Sequence, residues 1–470
     1  MASRPRRWFA YSLIGMFLFL SSAITLAAIL LLRRGKLPRT GLITGNSMEP
    51  VLRGPRFTWT CPDCSQTQEF ALDTCKSHRP IRCRWCNTLD PKSAIDFETK
   101  EGIEEKILSG DQVRYATLRS MRSLRAMEIA KSLAQPSGLV RGDIVVFQEA
   151  QDAKREVKRV IGFPSEQIAI ASGDVFVNGE RWSKTLEQSL RQSILLDAWE
   201  GAMLSQKSRP QNRWNACWFL TDGVFDGALG PRSLGNENNA VDADAVERRL
   251  VFGTPTRTFQ DNQLLDNQLA VNAHDSHAIV PVQDFGFAFQ VIAPETAWEI
   301  RCQMHSPVYD TDISLSWNGT ELMLKSGEET VRTHLVIQQD RPIWVAIAMV
   351  DGYLVAGCQN AEWFRRKLSL KAEDSTSVKV GVKFPIEIAP ISGRLAIDQL
   401  IVFRDIHYRG NGDSETQNWE PGDQLIVLGD NVSASSDSRD RWPDGLPTQA
   451  VKGVVLQTES PIEVLLRQRP

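Results

Sequence analysis

A chain of 470 residues exceeds what one ordinary core needs, and its length predicts about two to four domains. With 42% hydrophobic and 24% charged residues the composition is globular. The formal net charge of −3 gives no bulk electrostatic reason to expect a nucleic-acid partner.

In chain order, a basic segment at 1–7 leads into Trp8 to Leu32, an uncharged run longer than the roughly 20 residues a helix needs to cross a bilayer. A cleaved signal peptide is the competing reading. The run is longer than a secretory apolar core and passes directly into Arg33-Arg34 without a small-residue cleavage site, so it is expected to be an uncleaved single-pass anchor over 8–32. Arg4, Arg6 and Arg7 precede it and Arg33, Arg34, Lys36 and Arg39 follow it, so the basic residues do not set its orientation.

A short tether then reaches Thr44-Gly45-Asn46-Ser47-Met48-Glu49-Pro50-Val51-Leu52. Ser47 must therefore lie close to the membrane surface, since an extended chain covers at most about 3.6 Å per residue. An insert at 56–100 carries Cys61-x-x-Cys64 and Cys83-x-x-Cys86, the spacing of a zinc ribbon in which two knuckles present four thiolates. So short a segment lacks a substantial core, and a structural zinc would stabilise it. Disulfides, permitted outside the cytoplasm, are the competing account. Cys75 and His78 form a weaker ligand pair.

Ser109 to Ala116 alternates like a strand, and 118–134 shows helical spacing with a basic face, read as a solvated surface helix. Strand-like runs follow at Asp143 to Gln148, Glu156 to Phe163 and Gln167 to Trp182, the last with the hairpin pair Asn178-Gly179. Within the second, Lys158 is flanked by Val157, Val160 and Ile161. Burial among apolar groups disfavours the ammonium form, which would let a lysine act as the base that a serine nucleophile needs.

From 190 to 410 the pattern becomes a series of short alternating strands, with Asp351-Gly352 at a clear hairpin, and predicts a β-sandwich of the concanavalin or laminin-G kind. Such a domain often binds carbohydrate or serves adhesion; a docking role is equally consistent, since fold alone does not establish function. Cys217, Cys302 and Cys358 read as packed thiols, although a bridge between the last two is conceivable. A polar linker at Gly410 to Asn418 leads to the strand Gln424 to Leu428 and to Gly429-Asp430-Asn431-Val432-Ser433-Ala434-Ser435-Ser436-Asp437-Ser438-Arg439. The sandwich is thus expected to interrupt an all-β catalytic domain formed by 40–55, 105–188 and 420–465.

These segments resemble, in order, the motifs of the type I signal peptidases, the membrane-anchored serine/lysine leader peptidases. Ser47, Met48, Pro50 and Leu52 match the serine box, and Gly110-Asp111 matches the next. Arg141 to Phe147 and Lys158-Arg159 with Gly162 and Pro164 match the lysine region, and Gly429-Asp430-Asn431 with Ser435, Asp437, Ser438 and Arg439 the last box. The resemblance covers roughly 1–55, 109–185 and 420–460. It implies removal of signal peptides from exported preproteins after small residues in an Ala-X-Ala pattern, with the N-terminus cytoplasmic and the catalytic domain outside the inner membrane.

It also implies that Ser47 attacks, that neutral Lys158 serves as general base and then acid, and that Ser435 hydrogen-bonds Lys158. Asp437 and Arg439 would pair to brace the loop, Arg159 would support the site, and the Ser47 N–H is a candidate oxyanion donor. No cofactor for catalysis is implied. The sequence departs from the family at Gly45, where some members place a second oxyanion donor. It departs again at Ser165-Glu166, where Gly-Asp is usual after the proline, and at Val432-Ser433, where arginine and aspartate are usual.

None of His78, His274, His277, His305, His334 or His407 lies in a Gly-x-Ser-x-Gly nucleophile motif. The alternatives are a membrane-tethered protein with an inactive core whose sandwich binds glycan or protein, and a self-cleaving repressor-type protease. The apolar span and the lack of a DNA-binding head argue against the latter.

Overall fold

The structure, a computed structural model, describes residues 38–60, 107–125, 138–149, 154–200, 282–291, 297–306, 309–335, 342–359, 361–369, 386–393, 396–432 and 434–468, with short segments at 62–63, 67–72, 81–82, 89–90, 214–216, 219–221, 224–226 and 250–252. The expected anchor at 8–32 and the cysteines Cys61, Cys64, Cys83, Cys86, Cys75 and Cys217 lie outside them. Among the described residues no helix is long and apolar enough to cross a membrane.

The protein is mainly β. One seven-stranded sheet runs in the order Arg39–Leu42, Gln112–Ala116, Val451–Val455, Ile144–Phe147, Glu156–Gly162, Gln424–Leu428 and Leu446–Pro447. The strands on either side of the sandwich do meet, Leu428 opposite Arg159 and Ile426 opposite Gly162. Alternate residues of Glu156–Gly162 serve different cores, as the two-residue period of a strand requires: Val160 packs with Val145 and Val427, and Ile161 with Ile168 and Ile426.

A four-stranded sheet follows, in the order Glu180–Arg181, Asp174–Val177, Ile168–Ala171 and Thr416–Trp419. Its hairpin turns use Ser172-Gly173 and Asn178-Gly179, all four residues at positive φ, the geometry that matches the twist of the flanking strands. The same chemistry recurs at Asp351-Gly352, with φ of 50° and 80°. The stretch read as a linker is partly the edge strand Thr416–Trp419, because only Trp419 of its residues turns fully inward and the remainder reads as polar.

Two further sheets of seven and eight strands form a β-sandwich. Trp298–His305 alternates between buried and half-exposed residues, with Trp298, Ile300, Cys302 and Met304 in the core between the sheets. Phe285–Val291 is instead buried on both sides. Its outer face, with Ala288, packs under the helices Leu186–Gln192 and Pro461–Leu466, which bury Leu186, Leu190, Ile462 and Leu465 there. Both helices begin with a reciprocal capping box, Thr185 with Gln188 and Ser460 with Glu463. The sandwich core is continuous with Ile168, Ile170, Trp419 and Leu428 of the other sheets, so the inserted strands do not form a separate core.

Cys302 and Cys358 are buried free thiols in opposite sheets. Burial pushes the Cys358 thiol up to about 12 and that of Cys302 higher still, so both are inert packing groups. The expected helix at 118–134 is described as Leu118–Arg125, with residues 126–134 outside the described set.

Candidate active site

Ser47 is half-buried on a turn closed by Leu52 N–H donating to the Met48 carbonyl at 2.9 Å. Asp111 ties down both ends of this segment. Its carbonyl accepts from Ile43 N–H at 3.0 Å, its N–H donates to the Arg53 carbonyl at 2.8 Å, and its Oδ2 accepts from Arg53 N–H at 2.8 Å. The preceding Gly110 is obligatory, since a Cβ there would lie 1.8 Å from the Ile43 carbonyl oxygen.

Lys158 is 2% exposed on the strand Glu156–Gly162, opposite Val145. Burial lowers its pKa below the usual 10.5; Asp437 and Glu156 oppose the shift, and Arg439 and Arg441 reinforce it. The shift favours the neutral amine, the form that can accept a proton. Its neighbour Val157 lines a cleft of about 130 Å³ together with Ser47, Leu42, Val113, Tyr115 and Val146.

Beside it, Arg159 and Asp430, 1% and 0% exposed, form a two-pronged ion pair with Nε–Oδ1 at 2.7 Å and Nη2–Oδ2 at 2.5 Å. The remaining Nη1 donates to the Gly142 carbonyl at 2.7 Å. With its donors so committed, Arg159 serves as a support rather than a reacting group. Asp430 therefore holds the start of the loop 429–439 against the lysine strand, a role the sequence motif did not reveal.

The rest of that loop is cross-tied around Asp437. The carboxylate accepts from Arg439 Nε and Nη2 at 2.8 and 2.7 Å, and from Gly429 N–H at 2.8 Å. Burial opposes ionisation of Asp437, but these donors hold its pKa below the ordinary 3.8. Arg439 also donates to the Val432 carbonyl at 2.7 Å. That contact uses backbone, so the unusual Val432 side chain leaves it intact.

The loop also reaches the serine turn. Asn431, 0% exposed, donates its N–H to the Ser47 carbonyl at 3.1 Å and its Nδ2 to the Asn46 carbonyl at 3.0 Å. A Cβ on Gly429 would sit 2.4 Å from the Ser47 carbonyl oxygen and 2.1 Å from Ser435 Oγ, so only glycine allows the three segments to approach. The hydrogen bond expected from Ser435 to Lys158 is absent. Ser435 Oγ is buried against Gly429 without a partner of good hydrogen-bonding geometry, though close enough to the Asp437 carboxylate to help keep it ionised.

The departure at Ser165-Glu166 is compensated in part. Glu166 accepts from Phe163 N–H at 2.7 Å and pairs with Arg141 at 2.7 Å, so a carboxylate still closes the turn. Ser165 adopts φ of 66°, the left-handed conformation that glycine takes without steric cost.

Strands from distant parts of the chain thus tie the Ser47 turn, the strand bearing the buried Lys158 and a braced polar loop together, and residues 106–223 match the family described as "Signal peptidase, peptidase S26". Over that range the chain is similar to the signal peptidase family, in agreement with the type I signal peptidase resemblance of its motifs. The matched range includes Lys158 and Arg159.

No curated protein matches the chain. Similar solved structures include a mutant Trypanosoma rangeli sialidase with trans-sialidase activity, at 12% identity over 34% of this chain and TM-score 0.21; this chain covers 24% of that one. The catalytic domain of a Thermotoga petrophila endo-1,3-beta-glucanase (laminarinase) is similar at 9% identity over 45% of this chain and 98% of its own, with TM-score 0.26. Galectin LEC-6 of Caenorhabditis elegans is similar at 11% identity over 27% of this chain and 91% of its own, with TM-score 0.18.

Proposed function

We propose that this protein is a membrane-bound serine endopeptidase that removes N-terminal signal peptides from exported preproteins, with Ser47 as nucleophile and Lys158 as base. The observation that carries the reading is the buried Lys158, its pKa lowered, on the strand that the loop 429–439 joins to the Ser47 turn. Lys158 would take the Ser47 proton as Oγ attacks the scissile carbonyl, then pass it to the leaving amine. Ser435, whose Oγ makes no hydrogen bond of good geometry, would orient the amine once substrate closes the site; catalytic hydrogen bonds often tighten only in the complex. The Ser47 N–H would contribute to the oxyanion hole.

The substrate would add as a strand along Arg39–Leu42, which forms one edge of the seven-stranded sheet and borders the cleft. The small cleft, with Leu42, Val113, Val146 and Val157 among its lining residues, fits the short side chains of an Ala-X-Ala site. In this reading 8–32 anchors the protein, with the catalytic domain on the extracytoplasmic side. The cysteine pairs Cys61-x-x-Cys64 and Cys83-x-x-Cys86 would hold a structural zinc, as their spacing suggests.

The test is to incubate the purified protein with an Ala-X-Ala preprotein beside Ser47→Ala and Lys158→Ala variants. Processing by the wild type alone is expected; equal processing by all three overturns the mechanism.

A further inference from the structure

The insert that follows the serine turn returns a carboxylate to it. Strand Arg56–Thr60 pairs with Thr67–Ala71, placing Glu69 opposite Thr58 at the root of the insert. Glu69 Oε2 accepts from Arg53 Nη1 at 2.8 Å and from Arg56 Nε at 2.6 Å. The side chains are 18% exposed for Glu69 and 12% for each arginine, so this is a largely desolvated three-member cluster rather than a surface pair.

Arg53 stands directly after Leu52, whose N–H closes the Ser47 turn, and its backbone is held on both sides by Asp111. The Asp111 carboxylate lies farther from the other arginine, 3.7 Å from Arg56 Nη1. Two residues beyond Ser47, Glu49 is 5% exposed, and burial pushes its carboxyl up to about 8, opposed chiefly by Arg53. Glu49 is therefore an unused acid inside the nucleophile turn, and Arg53 is the group that most favours its charged form. Glu69 keeps that guanidinium engaged elsewhere. Without it, the two arginines would repel, and the partner within the turn available to Arg53 would be Glu49, whose ionisation and movement would displace the segment bearing Ser47.

We propose that Glu69 is a positioning residue for Ser47, supplied by the cysteine-bearing insert, and that it acts by holding Arg53 and Arg56 away from the turn. It lies outside the segments that carry the family resemblance, so the insert contributes to the peptidase site of this chain in a way the shared motifs do not encode. The inference rests on the reading of Ser47 as nucleophile.

The test compares the full chain in detergent micelles with Ser47→Ala, Glu69→Gln, Glu69→Asp and the double variant Arg53→Gln/Glu69→Gln, on a peptide bearing an Ala-X-Ala site. Glu69→Gln should lower kcat about tenfold with KM within about twofold, because the nucleophile and not the substrate cleft is displaced. Glu69→Asp should recover about half of kcat, and the double variant should exceed Glu69→Gln because it removes the released guanidinium. If Glu69→Gln does not fold, the double variant decides: wild-type KM with kcat near that of the wild type supports the proposal, and kcat reduced with KM raised in step overturns it. Wild-type kcat in Glu69→Gln overturns this proposal alone. Equal cleavage by the wild type and Ser47→Ala overturns the reading of Ser47 and this proposal with it.

Discussion

Asn431 hydrogen-bonds the carbonyls of both Asn46 and Ser47, so the proposed nucleophile turn is held by a residue from the far side of the inserted sandwich. Asn431→Ala removes one of these bonds and leaves a carbonyl short of a donor in a confined site. A destabilisation of about 1–2 kcal/mol is expected, with kcat reduced more than KM is raised. Thermal melting and steady-state kinetics on the same preparation measure both.

Lys158 should impose a rising limb on the activity–pH profile, with its midpoint below the usual 10.5, because burial disfavours the ammonium. The stability effect has the same sign. Below the folded pKa the amine is protonated in both states and the desolvation cost is complete; between that pKa and 10.5 the unfolded chain binds more protons, so stability rises with pH. Lys158→Met should abolish cleavage and lack this stability increment, which melting curves across the alkaline range would reveal.

Asp437→Asn leaves Arg439 as an uncompensated charge, 7% exposed, and a cost of about 3–5 kcal/mol is expected. In the wild type the carboxylate has its folded pKa held below 3.8, so its contribution is present above 3.8 and lost as pH falls through the folded value. Acid denaturation followed by circular dichroism should show a steeper loss in the wild type than in the variant.

Asp284 lies at the root of the sandwich with Asp174, Asp351 and Asp405, beside the cations Lys184 and Arg181. Burial first, and then the neighbouring carboxylates, push its pKa well above 3.8, while its Oδ2 accepts from Asp351 N–H at 2.6 Å. A raised folded value stabilises below the unfolded pKa, and this contribution is lost as pH rises through the folded pKa. Asp284→Asn keeps an acceptor without a charge to bury. It should raise the melting temperature at alkaline pH and flatten its pH dependence.

Ser165→Gly should stabilise the protein modestly. Left-handed backbone costs a non-glycine residue roughly 1–2 kcal/mol, and the added entropy of glycine in the unfolded chain returns about 0.5–1, leaving a gain of about 1 kcal/mol or less. Chemical denaturation of the two proteins measures the difference, and a loss of stability would count against strain at Ser165.

Much of the site was legible because its groups sit in short motifs with their own chemical logic. Ser47, Lys158, Asp437 and Arg439 stand in such segments, and the last two form the expected pair. Asp430, Asn431 and Asp111 were part of quoted motifs, but their roles depend on partners remote in sequence: Arg159, Asn46 and Arg53. The Thr416–Trp419 strand reads as a linker because an edge strand with one fully buried residue carries almost no alternating signal.

Local geometry is written in the residues themselves: the hairpins at Asn178-Gly179 and Asp351-Gly352, and the alternation that buries Trp298, Ile300 and Cys302, follow from turn chemistry and the two-residue strand period, which act over a few neighbouring residues. Tertiary packing sets the contact of Gly429 with the Ser47 turn, the hold of Glu69 on Arg53, and the core that the sandwich shares with Ile168, Ile170, Trp419 and Leu428 of the other sheets. Those relationships depend on which strand faces meet once the sheets pack. Side-chain contact across such distances is set by the packing of the whole chain and leaves no periodic trace in the residues that make it.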